Sequence, residues 1–165
     1  MTMRLLGCIE MAAGLPPGTL PPDAIGYVAQ EGDIDWVIAR LPDGRWAATD
    51  DAEIAPDRVE LFTTQSAALA YTRETLILAM AKALEHREQR GTYAVQCPVC
   101  GDGRPLVGYD IQTGLGQWQP CPDHPEGDWT WDVLEVAEDQ GFLNWAAEEI
   151  RCALSDPVNE TGGVE

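Results

Sequence analysis

Residues 35–50 read DWVIARLPDGRWAATD. Two extended runs, Asp35–Leu41 and Arg45–Asp50, flank Pro42-Asp43-Gly44. Proline presets one turn dihedral and glycine supplies the positive φ that a tight reversal needs, so the stretch predicts a β-hairpin. Working outward, Ile25–Gln30 reads as a strand that Glu31-Gly32-Asp33 turns into the first arm, and Val59–Thr63 reads as a strand after the second. Met3–Ile9 is a candidate further strand, separated from the meander by the Pro/Gly-rich connector LPPGTLPPD at 15–23.

Ser66 is the expected N-cap of a long helix running to Gly91, with Leu69, Leu76, Met80 and Ala83 on one face. An apolar face of that length needs a sheet to lie across. Beyond it, Tyr93–Gln96 predicts a strand, and Arg104–Asp110 with Gly116–Gln119 predict a hairpin around IQTGLG. Two helices are expected over Trp129–Asp139 and Leu143–Leu154, broken at Gln140-Gly141, and SDPVNETGGVE reads as a loose tail. The fold class is α+β: an antiparallel β-meander covered by a long helix, then a hairpin module and two C-terminal helices. The corresponding domains are 1–92, 93–155 and a tail over 156–165.

The 165 residues carry ten Lys plus Arg against 28 Asp plus Glu, a formal charge of −18. Residues 1–92 hold fourteen acids and eight bases; residues 93–165 hold fourteen acids and only Arg104 and Arg151. Such a surface repels phosphate backbones and anionic membranes and favours a basic protein partner. Direct nucleic-acid binding and membrane binding are therefore not expected. Leu5-Leu6-Gly7-Cys8 has the look of a lipoprotein signal but lacks the apolar run such a signal needs. A soluble, cytoplasmic chain is expected, where paired cysteines are ligands or redox groups more often than disulfides.

Cysteine spacing carries the chemistry. Cys97-x2-Cys100 is followed, twenty residues later, by Cys121-x2-His124. A two-residue gap lets one tight turn present two ligands to one ion, and three thiolates with an imidazole suit tetrahedral Zn2+. The knuckle Cys97-Pro98-Val99-Cys100-Gly101 resembles the C-P-x-C-G of the zinc-ribbon and treble-clef families, over residues 97–124 only. The resemblance implies a structural zinc held by Cys97, Cys100, Cys121 and His124. His124 stands where many ribbons have a fourth cysteine, and Pro125-Glu126-Gly127 separates it from the next predicted helix, so ribbon and treble clef both stay open.

Other chemistries fit less well. A redox CxxC needs a helix opening at the motif, which Gly101-Asp102-Gly103-Arg104-Pro105 does not allow. His124-Pro125-Glu126 spells the H-x-E of zinc deaminases, but the order relative to CxxC is reversed and Cys121 would be idle. A helix-turn-helix reading of the last two helices would drive NWAAEEIRCAL, with two acids against one Arg, into a phosphate-lined groove.

In the first predicted C-terminal helix, Asp132, Glu135, Glu138 and Asp139 share a side with Trp131; in the second, Trp145 lies beside Glu148 and Glu149. Acidic faces alone are usually solvated, and tryptophans among them are either binding anchors or packing residues. The functional expectation is a noncatalytic interaction or regulatory protein that binds a basic partner through this acidic, Trp-bearing surface, with nucleic-acid mimicry as a special case. The alternative is a zinc-dependent enzyme or enzyme subunit whose catalytic residues the sequence does not reveal.

Overall fold

A computed structural model of the chain describes residues 2–89 and 95–155. It is a mixed α/β protein with antiparallel sheets and four helices. In order these are α1 (Thr2–Ala13), β1 (Ile25–Glu31), β2 (Ile34–Arg40), β3 (Trp46–Asp50), β4 (Glu60–Phe62) and α2 (Gln65–Gln89). Then come β5 (Val95–Gln96), β6 (Gly103–Arg104), β7 (Leu106–Tyr109), β8 (Leu115–Trp118), β9 (Thr130–Asp132), α3 (Val133–Asp139), β10 (Asn144–Trp145) and α4 (Glu148–Ser155). Two compact units result, one of Met1–Arg73 with Asn144–Glu165 and one of Glu74–Leu143.

In the first unit the hairpin forms as the Pro-Asp-Gly turn requires. β2 and β3 pair from Trp36↔Asp50 to Arg40↔Trp46, and Leu41 N–H donates to the Arg45 carbonyl across the turn at 2.8 Å. Gly44 takes φ +91°, a conformation that side-chain-bearing residues rarely adopt. With β1 and β4 added, the meander runs β1-β2-β3-β4.

The segment Met3–Ile9, expected as a strand, is the helix α1 instead. Leu5, Leu6 and Ile9 satisfy a helical stripe, and Gly14 at φ +74° ends the helix, with Leu15 N–H donating to Glu10 and Gly14 N–H to Met11. Arg45 then donates to the Ala13 carbonyl at 2.9 Å, covering an open helix C-terminus with a cation. The row Ile25↔Ala39↔Ala47↔Leu61 crosses four strands in register and forms the floor on which Leu5, Leu6 and Ile9 pack. Small Ala39 and Ala47, both fully buried, leave room for the helix.

The long helix α2 is capped two residues earlier than expected: the Thr64 hydroxyl, not that of Ser66, accepts from Ala67 N–H at 3.1 Å. Its first turns are tied to the sheet by Tyr71 against Phe62, ring centroids 5.4 Å apart, and to α4 by Arg73 Nε donating to the Leu154 carbonyl at 2.6 Å. Gly91, Tyr93 and residues 156–165 of the expected tail lie outside the described residues. No helix among the described residues is long and apolar enough to cross a membrane.

The segment 143–154, expected as one helix, is split. Asn144 and Trp145 pair with Gln30 and Ala29 as a fifth strand on the outer edge of β1, Ala146 N–H donates to the Val28 carbonyl, and helix resumes only at Glu148. An unpaired edge of backbone donors and acceptors outcompetes two more residues of helix.

If α1 is a core element of the sheet, Ile9→Ala, at a residue 1% exposed, should lower stability by about 2–5 kcal/mol in urea denaturation. A shift within about 0.5 kcal/mol, the range of surface positions, would contradict that packing.

Candidate metal centre

In the second unit the two ligand turns are built alike. β5 and β6 pair through Gln96↔Gly103, and the six residues between them close on themselves: Cys97 N–H donates to the Asp102 carbonyl and Gly101 N–H to the Cys97 carbonyl, both at 2.8 Å. Gly101 takes φ +75°, which explains the glycine after the second cysteine. At the other turn, Cys121 and His124 bridge antiparallel, and His124 N–H donates to the Cys121 carbonyl at 3.1 Å. Between the turns lies the expected hairpin, β7 with β8, joined by β9 into a three-stranded sheet.

The four ligand atoms all lie within 4.8 Å of one another, and three edges are 3.7 Å: Cys97 Sγ to His124 Nδ1, Cys121 Sγ to His124 Nδ1, and Cys100 Sγ to Cys121 Sγ. Zn–S bonds of about 2.3 Å at the tetrahedral angle separate two sulfurs by about 3.8 Å. The Cys3His group is positioned to bind one metal ion. Cys97 and Cys121 are buried, His124 half-buried and Cys100 exposed.

The thiols do not ionise equally. Cys100 backbone N–H holds the Cys97 thiol down to about 7, helped by Val99 N–H and the Cys100 and Cys121 sulfurs against the opposing effect of burial. The Asp102 N–H also favours a Cys100 thiolate, yet burial and the neighbouring Cys97 and Cys121 sulfurs raise that thiol. One negative sulfur therefore resists the next, and a bound cation relieves the conflict.

Arg104 is the residue that spacing alone does not single out. It is 8% exposed, and its guanidinium donates from Nε to the Gln119 carbonyl at 3.0 Å, from one terminal nitrogen to Asp102 Oδ2 at 3.1 Å, and from the other to Gln119 Oε1 at 3.0 Å and the Pro120 carbonyl at 3.3 Å. Asp102 closes the first turn and Pro120 immediately precedes Cys121, so one side chain clamps both ligand turns. Its sequence signal is that it is the single base among nine acids over residues 97–143.

The tryptophans also belong to this centre. Trp129 packs with Cys97 and Cys121, and Trp131 lies half-buried against that cluster, edge-on to Trp118 at 5.6 Å and to Trp129 at 5.8 Å. The segment 129–132, expected as the start of a helix, instead holds the strand β9 (Thr130–Asp132), since Asp132 is the N-cap of α3 and accepts from Leu134 and Glu135 N–H groups at 2.9 and 3.1 Å. Glu135 and Asp139 are exposed on α3, with Glu138 half-buried. Trp145, Glu148 and Glu149 belong to the other unit. There Trp145 is half-buried, both glutamates are exposed, and Glu148 takes Arg151 at 3.2 Å and Cys152 Sγ at 3.9 Å.

Comparison with protein-family models, with curated proteins and with solved structures found no match.

Two outcomes test this geometry. Metal affinity, followed by competition with a chromophoric chelator, should fall as pH falls, and more steeply below about 7, where Cys97 must also lose its proton to bind. Arg104→Ala should reduce metal affinity by about 10–100-fold, the range for residues that orient ligands from behind. Unchanged affinity would remove Arg104 from the site.

Proposed function

We propose that the chain is a noncatalytic interaction or regulatory protein whose second unit is held in shape by a structural zinc ion of the ribbon type, and which binds a basic protein partner through acidic helical surfaces. The observation that carries this reading is the closed ligand set: four protein donors at tetrahedral separations use every position of a four-coordinate ion. Such an ion has no vacant position for water or substrate, the requirement of catalytic zinc. Bound structural zinc contributes on the order of 10–16 kcal/mol in small modules, which is comparable with the net stability of a whole domain.

The ribbon form is favoured over a treble clef because His124 precedes a strand: α3 begins only at Val133, after β9. Zinc is favoured over other ions by the three thiolates and one imidazole, a donor set with no preference for hard cations.

The charge pattern supports a basic partner. Residues 97–143 carry nine acids, and their single base is buried in the Arg104 clamp, so the exposed charge of this stretch is acidic throughout. The anchors of this reading are Glu135 and Asp139 on α3, with Asp132 and Glu138 behind them, and Glu148 and Glu149 beside Trp145 on the other unit. Trp131, packed on the metal cluster, serves mainly to stabilise the turn pair. Long-range attraction would speed encounter, and imitation of a nucleic acid in a basic groove is the special case of the same electrostatics.

Native mass spectrometry should find one zinc per chain, lost in Cys121→Ser; a metal-free protein that is fully folded would overturn the zinc reading. For the partner, a chain with Glu135, Asp139, Glu148 and Glu149 all replaced by Lys should keep its circular dichroism and zinc but fail to retain the basic protein that the wild-type chain captures from cell extract. Equal capture by both would dismiss the acidic surfaces.

A further inference from the structure

The helix α1 has an outward face that nothing in its own fold accounts for. Leu5, Leu6 and Ile9 point to the sheet, and the opposite side presents Met3, Gly7 and Met11 at four-residue spacing. Met3 is 79% exposed and Met11 70% exposed. Gly7 sits in mid-helix between them, and a Cβ added there would meet nothing within 4 Å. A mid-helix glycine costs about 0.5–1 kcal/mol relative to alanine, and no neighbour among the described residues requires the missing side chain. An open groove of about 520 Å³ runs along the same face, lined by Arg4, Gly7, Cys8, Glu10 and Met11 on the helix and by Leu15 and Pro17 of the connector.

Charge decides what can lie there. Residues 1–22 contain one acid, Glu10, and one base, Arg4. Glu10 is turned inward, 5% exposed, with its carboxylate accepting Leu20 N–H at 2.8 Å and Gly18 N–H at 3.3 Å. In a chain of charge −18, this face carries no exposed carboxylate and one exposed base, Arg4, so a second equally acidic molecule can approach it without placing acid against acid.

We propose that the outer face of α1 is a contact surface for a second copy of this chain, the two helices crossing antiparallel at Gly7. A two-fold axis through Gly7 is self-complementary: Met3 of each copy falls opposite Met11 of the other, beside the groove, and the paired glycines let the backbones come close. Methionine suits such a contact, because its flexible thioether fills irregular apolar space. This surface is separate from the metal centre and independent of the partner reading.

Sedimentation velocity of the full, zinc-loaded chain over a range of concentrations tests the proposal. A monomer–dimer equilibrium is expected that tightens as salt is raised, because salt screens the net repulsion of two acidic chains while leaving apolar contact intact. Gly7→Leu and Met11→Lys should each raise the dissociation constant by about tenfold or more, with zinc content and circular dichroism unchanged. Should Gly7→Leu perturb the fold, Met11→Lys, at an exposed position, decides alone. A monomer at every concentration and salt, a dimer that salt weakens, or a dimer indifferent to Met11→Lys would each overturn the proposal.

Discussion

A buried guanidinium between two loops is the interaction on which the second unit depends. Arg104 pairs with one carboxylate, that of Asp102, and its other hydrogen bonds end on backbone and amide oxygens of the segments that present the ligands. Burying an arginine is tolerable only when its donors are used, and here the saturation has a geometric product: Asp102 and Pro120 are fixed relative to each other. The two turns that carry Cys97, Cys100, Cys121 and His124 are thereby tied to each other. Gly116 performs the matching task on the sheet, since a Cβ there would lie 2.8 Å from Trp118 and 2.9 Å from Val133. The tryptophan layer can then seal the side of the cluster that carries Cys97 and Cys121.

What was legible in the sequence was what depends on short-range chemistry. Pro42-Asp43-Gly44 specifies its turn locally, and the hairpin followed; the cysteine spacing specifies two ligand turns, and the cluster followed. The misses have one cause, competition between local preference and a distant partner. Met3–Ile9 offers only three firmly apolar positions, a pattern too short to separate a helix from a strand until Gly14 is recognised as a C-cap. Trp129–Trp131 has apolar content that suits a helix, but β8 presents Gly116 opposite Trp131. Asp132, three residues before Glu135, was the available cue that the helix begins later. The role of Arg104 was hidden because an isolated basic residue in an acidic stretch reads as a solvated charge until its burial is known.

The two halves of the chemistry are distributed unevenly over the molecule. In the acidic, loop-rich stretch, Cys97 and Cys121 share one buried cluster with Trp129 and Trp131, beside further buried side chains such as Trp118, Leu134 and Leu143. Where the chain has an ordinary core, beneath α1, exposed acids are excluded from the helix and apolar side chains remain at the surface.

The pairing of β10 with β1 has a consequence for how the protein is made. Ala29 waits for Trp145, more than a hundred residues later in the chain. During synthesis, which runs N-terminal first at roughly 5–20 residues per second, the four-strand meander and α1 emerge early, while the outer edge of β1 stays open until the whole metal-binding segment has left the ribosome. The whole unit that holds the ligands, Glu74–Leu143, precedes Asn144 in the chain, so it has emerged while that edge is still bare. The order of completion is therefore nested, with the inserted unit finished before the unit that encloses it in sequence, and an unfilled edge strand exposed for the interval between.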